Sequence, residues 1–220
     1  MTRKLSIKKM KSPDQFLKAM LKVFANLKHN IKLYLIIAIG VILVTAVVVL
    51  VDGLNNRREE RARVQLYELS KRVGSLEEVQ RDAAIKMIEE EIPRLGLTKA
   101  GLEARYILAE IYYNTGDWGK AITNYDFVVK RGKGLFKDLS LLGSSYAKEK
   151  SGDTQAALDS FVKLKEKSSE AYKPLAMLGI GRCYKKLGDK NQAMAEYESV
   201  ILSYPETDYA RMASVAKSNL

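Results

Sequence analysis

LAEIYYNTGDWGKAITNYDFV, residues 108–128, returns with changes as LGSSYAKEKSGDTQAALDSFVKL from Leu142 and as IGRCYKKLGDKNQAMAEYESV from Ile180. Each copy opens with a large apolar residue, a small one, and an aromatic one turn on: Leu108, Ala109, Tyr112; Leu142, Gly143, Tyr146; Ile180, Gly181, Tyr184. Those intervals lie on one face of a helix. A Gly-Asp pair follows at 116, 152 and 188, where Gly tolerates the left-handed backbone of a helix end and Asp suits the next helix start. A second apolar set then recurs every 36 residues: Ala121, Tyr125, Val128; Ala157, Phe161, Leu164; Ala193, Tyr197, Val200. The pattern predicts an all-α array of helical hairpins over 101–205. One irregularity stands out. Tyr146 lies six residues before its Gly while Tyr112 and Tyr184 lie four before theirs, which predicts a longer first helix or a looser turn over 148–151.

These positions resemble the tetratricopeptide repeat, so the resemblance implies an α-solenoid. The small residues let paired helices approach, and the aromatics fill the space between turns; all are expected to pack. The resemblance also implies that non-core positions of the first helices line a concave groove for proteins or peptides. Those positions are Tyr106, Glu110, Tyr113 and Asn114, then Ser140 and Ser144, then Leu178, Arg182 and Lys185. Tyr106 and Tyr113 are expected to form an aromatic shelf, with Arg182 and Lys185 holding acidic groups. The Lys/Asn clamp that some such domains use for a C-terminal carboxylate is missing, because Tyr106 and Glu110 stand in its place.

Outside the repeats, Leu33–Val51 is an uncharged run of 19 residues. As a helix it spans about 28 Å, close to the hydrocarbon thickness of a bilayer. Residues 1–32 carry nine Lys/Arg against Asp14, a net +8. By the positive-inside rule they stay in the cytoplasm and the repeats cross to the other side. The leader is too long for the charged start of a signal peptide, and no small-residue cleavage site closes the run, so an uncleaved anchor is expected. Ser12-Pro13-Asp14-Gln15 has the form of a helix start, and Phe16, Met20, Val23, Phe24 and Leu27 share a face apart from Lys18, Lys22 and Lys28. That predicts a basic amphipathic helix lying on the lipid surface. Residues 52–100 are expected to form a stalk and a degenerate first repeat, with helices over 55–73 and 76–92, a turn at Gly74 and a stop at Pro93. Residues 206–220 supply a capping helix, and self-association through the stalk is left open.

The whole chain carries +11, but residues 53–220 hold only +4, so the excess basic charge belongs to the membrane flank. Nothing in the repeats has the basic, aromatic-interleaved stripe of a nucleic-acid binder. The single histidine, His29, sits in the leader, which leaves no His-based triad or metal site in the domain. Cys183 lies among packing positions and is expected to be an inert thiol. Gly132-Lys133-Gly134 is too short to cradle phosphate. No enzyme, cofactor or metal is expected.

The basic leader with its KSPDQF start (Lys11–Phe16), the single anchor, the stalk and the repeats together resemble the YfgM-type ancillary subunits of the SecYEG translocon. This implies an inner-membrane protein with periplasmic repeats, partnered by translocon subunits and periplasmic chaperones. The segment Tyr204–Ala210 resembles inter-repeat segments of tetratricopeptide proteins in outer-membrane assembly and cell division, which implies a scaffold as the alternative.

Overall fold

The computed structural model describes residues 17, 18, 20, 21, 30–74 and 80–220. The expected leader helix over 12–28 and His29 fall largely or wholly outside them, as do residues 75–79. Among the described residues the secondary structure is helical throughout, and the chain divides into two units, Met1–Asn56 and Arg57–Leu220.

Helix α1, Ile31–Gly74, carries the apolar run. It is long and apolar enough to cross a membrane, and none of its most apolar stretch is buried by protein. Deep in that stretch the Thr45 hydroxyl is satisfied locally, since its Oγ1 donates back to the carbonyls of Val41 and Ile42 at 3.0 and 2.9 Å. A polar group in lipid needs such a partner.

In the second unit, Ala62, Leu66 and Leu69 of α1 join Ile88, Ile92 and Leu95 of α2 (Arg81–Leu95) and Ala100, Ala104 and Leu108 of α3 (Lys99–Asn114) in one core. Pro93 does not stop α2. The helix runs on to Leu95 because Ile92 and Leu95 are buried, and the Gly96 N–H closes the last turn on the Ile92 carbonyl at 3.0 Å. Six further helices follow: α4 (Trp118–Arg131), α5 (Leu135–Ser151), α6 (Thr154–Lys167), α7 (Lys173–Lys186), α8 (Lys190–Ser203) and α9 (Asp208–Ser218). A short 3-10 turn, Glu170–Tyr172, precedes α7. From α2 onward each helix packs on the next, as in a solenoid, and Ala213 of α9 covers the last core beside Tyr197 and Val200.

The hairpin turns have the chemistry expected of them. Gly116, Gly152 and Gly188 adopt φ of 82°, 89° and 84°, which an L side chain resists. Asp117, Asp153 and Asp189 then cap α4, α6 and α8, accepting the N–H of Lys120, Ala156 and Gln192 at 3.0–3.1 Å. Each such cap contributes about 1 kcal/mol.

The second hairpin differs from its expected alignment. Helix α5 is the longest of the three first helices, 17 residues against 16 for α3 and 14 for α7, and it is regular to Ser151. Counting back eight, seven and four residues from the left-handed glycines gives Leu108, Ala109 and Tyr112; then Ser144, Ser145 and Lys148; then Ile180, Gly181 and Tyr184. Burial follows this register, with Ser144 and Ser145 as enclosed as Ala109. Leu142, Gly143 and Tyr146 are therefore two residues out of step with the positions they mimic. Gly143 instead sits under the ring of Tyr125, where an added Cβ would lie 2.5 Å from the ring, and Gly179, 36 residues on, receives Phe161 at 2.6 Å in the same way. These glycines admit the aromatic of one hairpin against the first helix of the next.

Candidate functional site

First helices α3 and α5 lie side by side with α4 behind them, and the cleft between them has a volume of about 150 Å³. It is lined by Tyr106, Glu110 and Tyr113 from α3, Tyr125 from α4, and Leu139, Leu142, Gly143 and Tyr146 from α5. The three α3 residues are the ones expected there; the α5 residues are not. Ser140 and Ser144, expected in the groove, are fully buried. Ser144 Oγ donates to Asp126 Oδ1 at 2.6 Å, while the Ser140 hydroxyl has no hydrogen-bond partner among the described residues. The two-residue register shift accounts for the exchange, since it moves the groove positions of α5 from 140 and 144 to Leu142 and Tyr146.

Rings hold the cleft open. Tyr106 packs against Tyr125 and Phe136 with centroids 6.0 and 5.9 Å apart, and Tyr113 meets the edge of Trp118 at 5.1 Å. Tyr146 leans on Phe161 at 5.4 Å. At the floor, the buried Tyr125 hydroxyl donates to Glu110 Oε1 at 2.5 Å. Burial, then Glu110, pushes the Tyr106 phenol up to about 12, and the same two causes push Tyr125 higher still. Both phenols are thus neutral donors at physiological pH.

The next stretch of groove is closed by its own charges. Arg182, on α7, donates from Nη2 to Glu149 Oε2 at 2.8 Å and from Nε to both carboxylate oxygens, and Lys186 adds a contact at 3.1 Å. Burial disfavours the Glu149 carboxylate, but hydrogen bonds and charge from Arg182 and Lys186 prevail and hold its pKa below the ordinary value. The guanidinium also lies over the rings of Tyr146 and Phe161 at 5.4 and 5.8 Å. Of the other expected groove residues, Lys185 bonds the Asn219 carbonyl at 2.7 Å, Leu178 is buried in the last core, and Asn114 is exposed at the end of α3. Arg182 and Lys185 therefore arrive with partners already in hand.

Among residues expected to pack, Leu108, Ala109, Tyr112, Ala121, Tyr125, Ala157, Phe161, Ile180, Gly181, Ala193 and Tyr197 are buried. Leu142, Gly143, Tyr146 and Tyr184 are half-buried. Lys148 takes the place that Tyr112 and Tyr184 hold in the other hairpins, its ammonium bonding Ser160 at 3.0 Å and Asp126 at 3.4 Å. Tyr112 is itself tied to α2 through a 2.6 Å bond to Glu89. Cys183 is enclosed, and burial pushes its thiol up to about 11, which removes the thiolate a nucleophile needs.

Residues 103–131 and 175–207 match the family model of the tetratricopeptide repeat. No curated protein matches the chain. The two matched segments are the first and third hairpins. The hairpin between them departs from the pattern where Ser144 and Lys148 replace a large apolar residue and Tyr.

Proposed function

We propose that this chain is a non-catalytic adaptor, anchored in an inner membrane by Leu33–Val51, whose repeats bind polypeptides at the periplasmic face and assist the translocon and its chaperones. The tetratricopeptide match supports the coarser part, a protein-interaction role. The single observation that carries peptide binding is the open, tyrosine-lined cleft between α3 and α5. Tyrosine suits such a surface because it offers a rigid apolar face together with a hydroxyl. The apolar, protein-free stretch of α1 and the +8 leader support the anchor and its direction. Tethering raises the local concentration of groove and client, so modest contacts suffice.

Photo-crosslinking in the native host from a reactive residue at 113, with one at the outward Lys163 as control, tests this reading. Crosslinks from 113 to translocon subunits, periplasmic chaperones or exported chains are expected. Crosslinks to division or outer-membrane assembly proteins would replace the export role with the scaffold role, and partners reached only from 163 would overturn the groove. A reporter fused after Leu220 that worked only in the cytoplasm would overturn the orientation.

A further inference from the structure

The cleft carries a charge with no counterpart. Glu110 is half-buried, its partners are the neutral hydroxyls of Tyr125 and Tyr106, and among the described residues no cation pairs with it. A carboxylate offers about four acceptor sites, so the two phenols still leave room for a further donor. Around the carboxylate stand the rings of Tyr106, Tyr113 and Tyr146, whose faces attract cations. This same groove already shows that preference toward the next hairpin, where Arg182 lies over Tyr146.

We propose that the cleft between α3 and α5 is a specificity pocket for a lysine side chain of the bound polypeptide, with its ammonium on Glu110 and its methylenes against Tyr106, Tyr113 and Leu142. Size agrees with this occupant. The cavity of about 150 Å³ has room for the five heavy atoms of a lysine side chain. Seating the ammonium there supplies Glu110 with the charge partner that Arg182 and Lys186 supply to Glu149. The pocket rests on the groove reading above and names what that groove selects.

The test uses the full chain in nanodiscs and fluorescein-labelled nonapeptides with acetylated N-termini, Gly-Ser-Leu-Ala-X-Ala-Leu-Ser-Gly, where X is Lys, Arg, norleucine or Glu. The Lys peptide is expected to bind at least tenfold more tightly than the norleucine peptide, which has the same apolar stem without the charge. Glu110→Gln keeps an acceptor for Tyr125 and is expected to abolish that preference. Tyr113→Leu, which keeps an apolar wall, is expected to reduce it, with circular dichroism confirming that both variants are folded. Equal binding of Lys and norleucine peptides, tighter binding of the Arg peptide, or a Lys preference that survives Glu110→Gln would overturn the pocket while leaving the groove in place. Failure of every peptide to bind the folded chain would overturn groove and pocket together.

Discussion

Two carboxylates face the same groove one hairpin apart, and they have opposite fates. Glu149 is clamped by Arg182 and Lys186, while Glu110 touches tyrosines and, among the described residues, meets no cation. In the register set by the left-handed glycines, Arg182 occupies the third hairpin's copy of the Glu110 position, and Glu149 the second hairpin's copy of Tyr113. Equivalent places thus serve cohesion between the second and third hairpins and leave an opening between the first and second. What separates them is whether a neighbour has already satisfied the charge, which no residue type reveals alone.

The largest expected effect breaks the closed half. Glu149→Ala strands the Arg182 guanidinium and is expected to cost about 3 kcal/mol in urea unfolding of the full chain. Glu110→Ala, which leaves no ion behind, is expected to cost less than about 1 kcal/mol. The closed half has a pH signature as well. Because the folded-state pKa of Glu149 is lowered, its stabilisation is full above the ordinary value of 4.5 and is lost as pH falls through the folded-state value. Unfolding midpoints measured through the acid range should fall in the wild type and change less in Glu149→Gln. An equal acid response in both would detach that pair from stability.

A second comparison sets Gly143 against Gly179, one under Tyr125 and the other under Phe161. Alanine at either place presses into an aromatic ring and is expected to cost about 2 kcal/mol. Only Gly143→Ala displaces the tyrosine that holds Glu110, so it should also weaken peptide binding, whereas Gly179→Ala should leave binding near the wild-type level in the folded fraction. Equal losses of binding would show that the two halves of the groove act as one.

The sequence reveals the hairpins because local chemistry makes them: a glycine that must be left-handed, an aspartate that caps, and small residues where helices meet. It misleads over α5 because Leu142, Gly143 and Tyr146 imitate the first-helix pattern while standing 34 residues after Leu108 instead of 36. The constant 36-residue interval of the second helices already contained the correction, since it leads from both Leu108 and Ile180 to Ser144. The Glu149–Arg182 pair was not legible, because its partners are 33 residues apart and meet only when two hairpins stack. Glu110 was legible as a groove residue, but its lack of a cation is a property of the assembled neighbourhood.

The smallest expected effects test the register itself through two serines of α5. In the expected alignment Ser140 and Ser144 face an open groove, and replacing either by alanine would leave stability unchanged. In the structure both are buried with opposite bonding. Ser144→Ala removes the 2.6 Å bond to Asp126 and is expected to cost about 1 kcal/mol, tempered because Lys148 still reaches that carboxylate. Ser140→Ala removes a buried hydroxyl without a hydrogen-bond partner among the described residues, at a place where the neighbouring hairpins carry Ala104 and Ala176. It is expected to be neutral or to gain up to about 1 kcal/mol. Denaturation of both variants side by side separates the alignments: a loss at 144 without a loss at 140 supports the 36-residue register, and silence at both would return these serines to the groove and make the open cleft the wrong surface to probe.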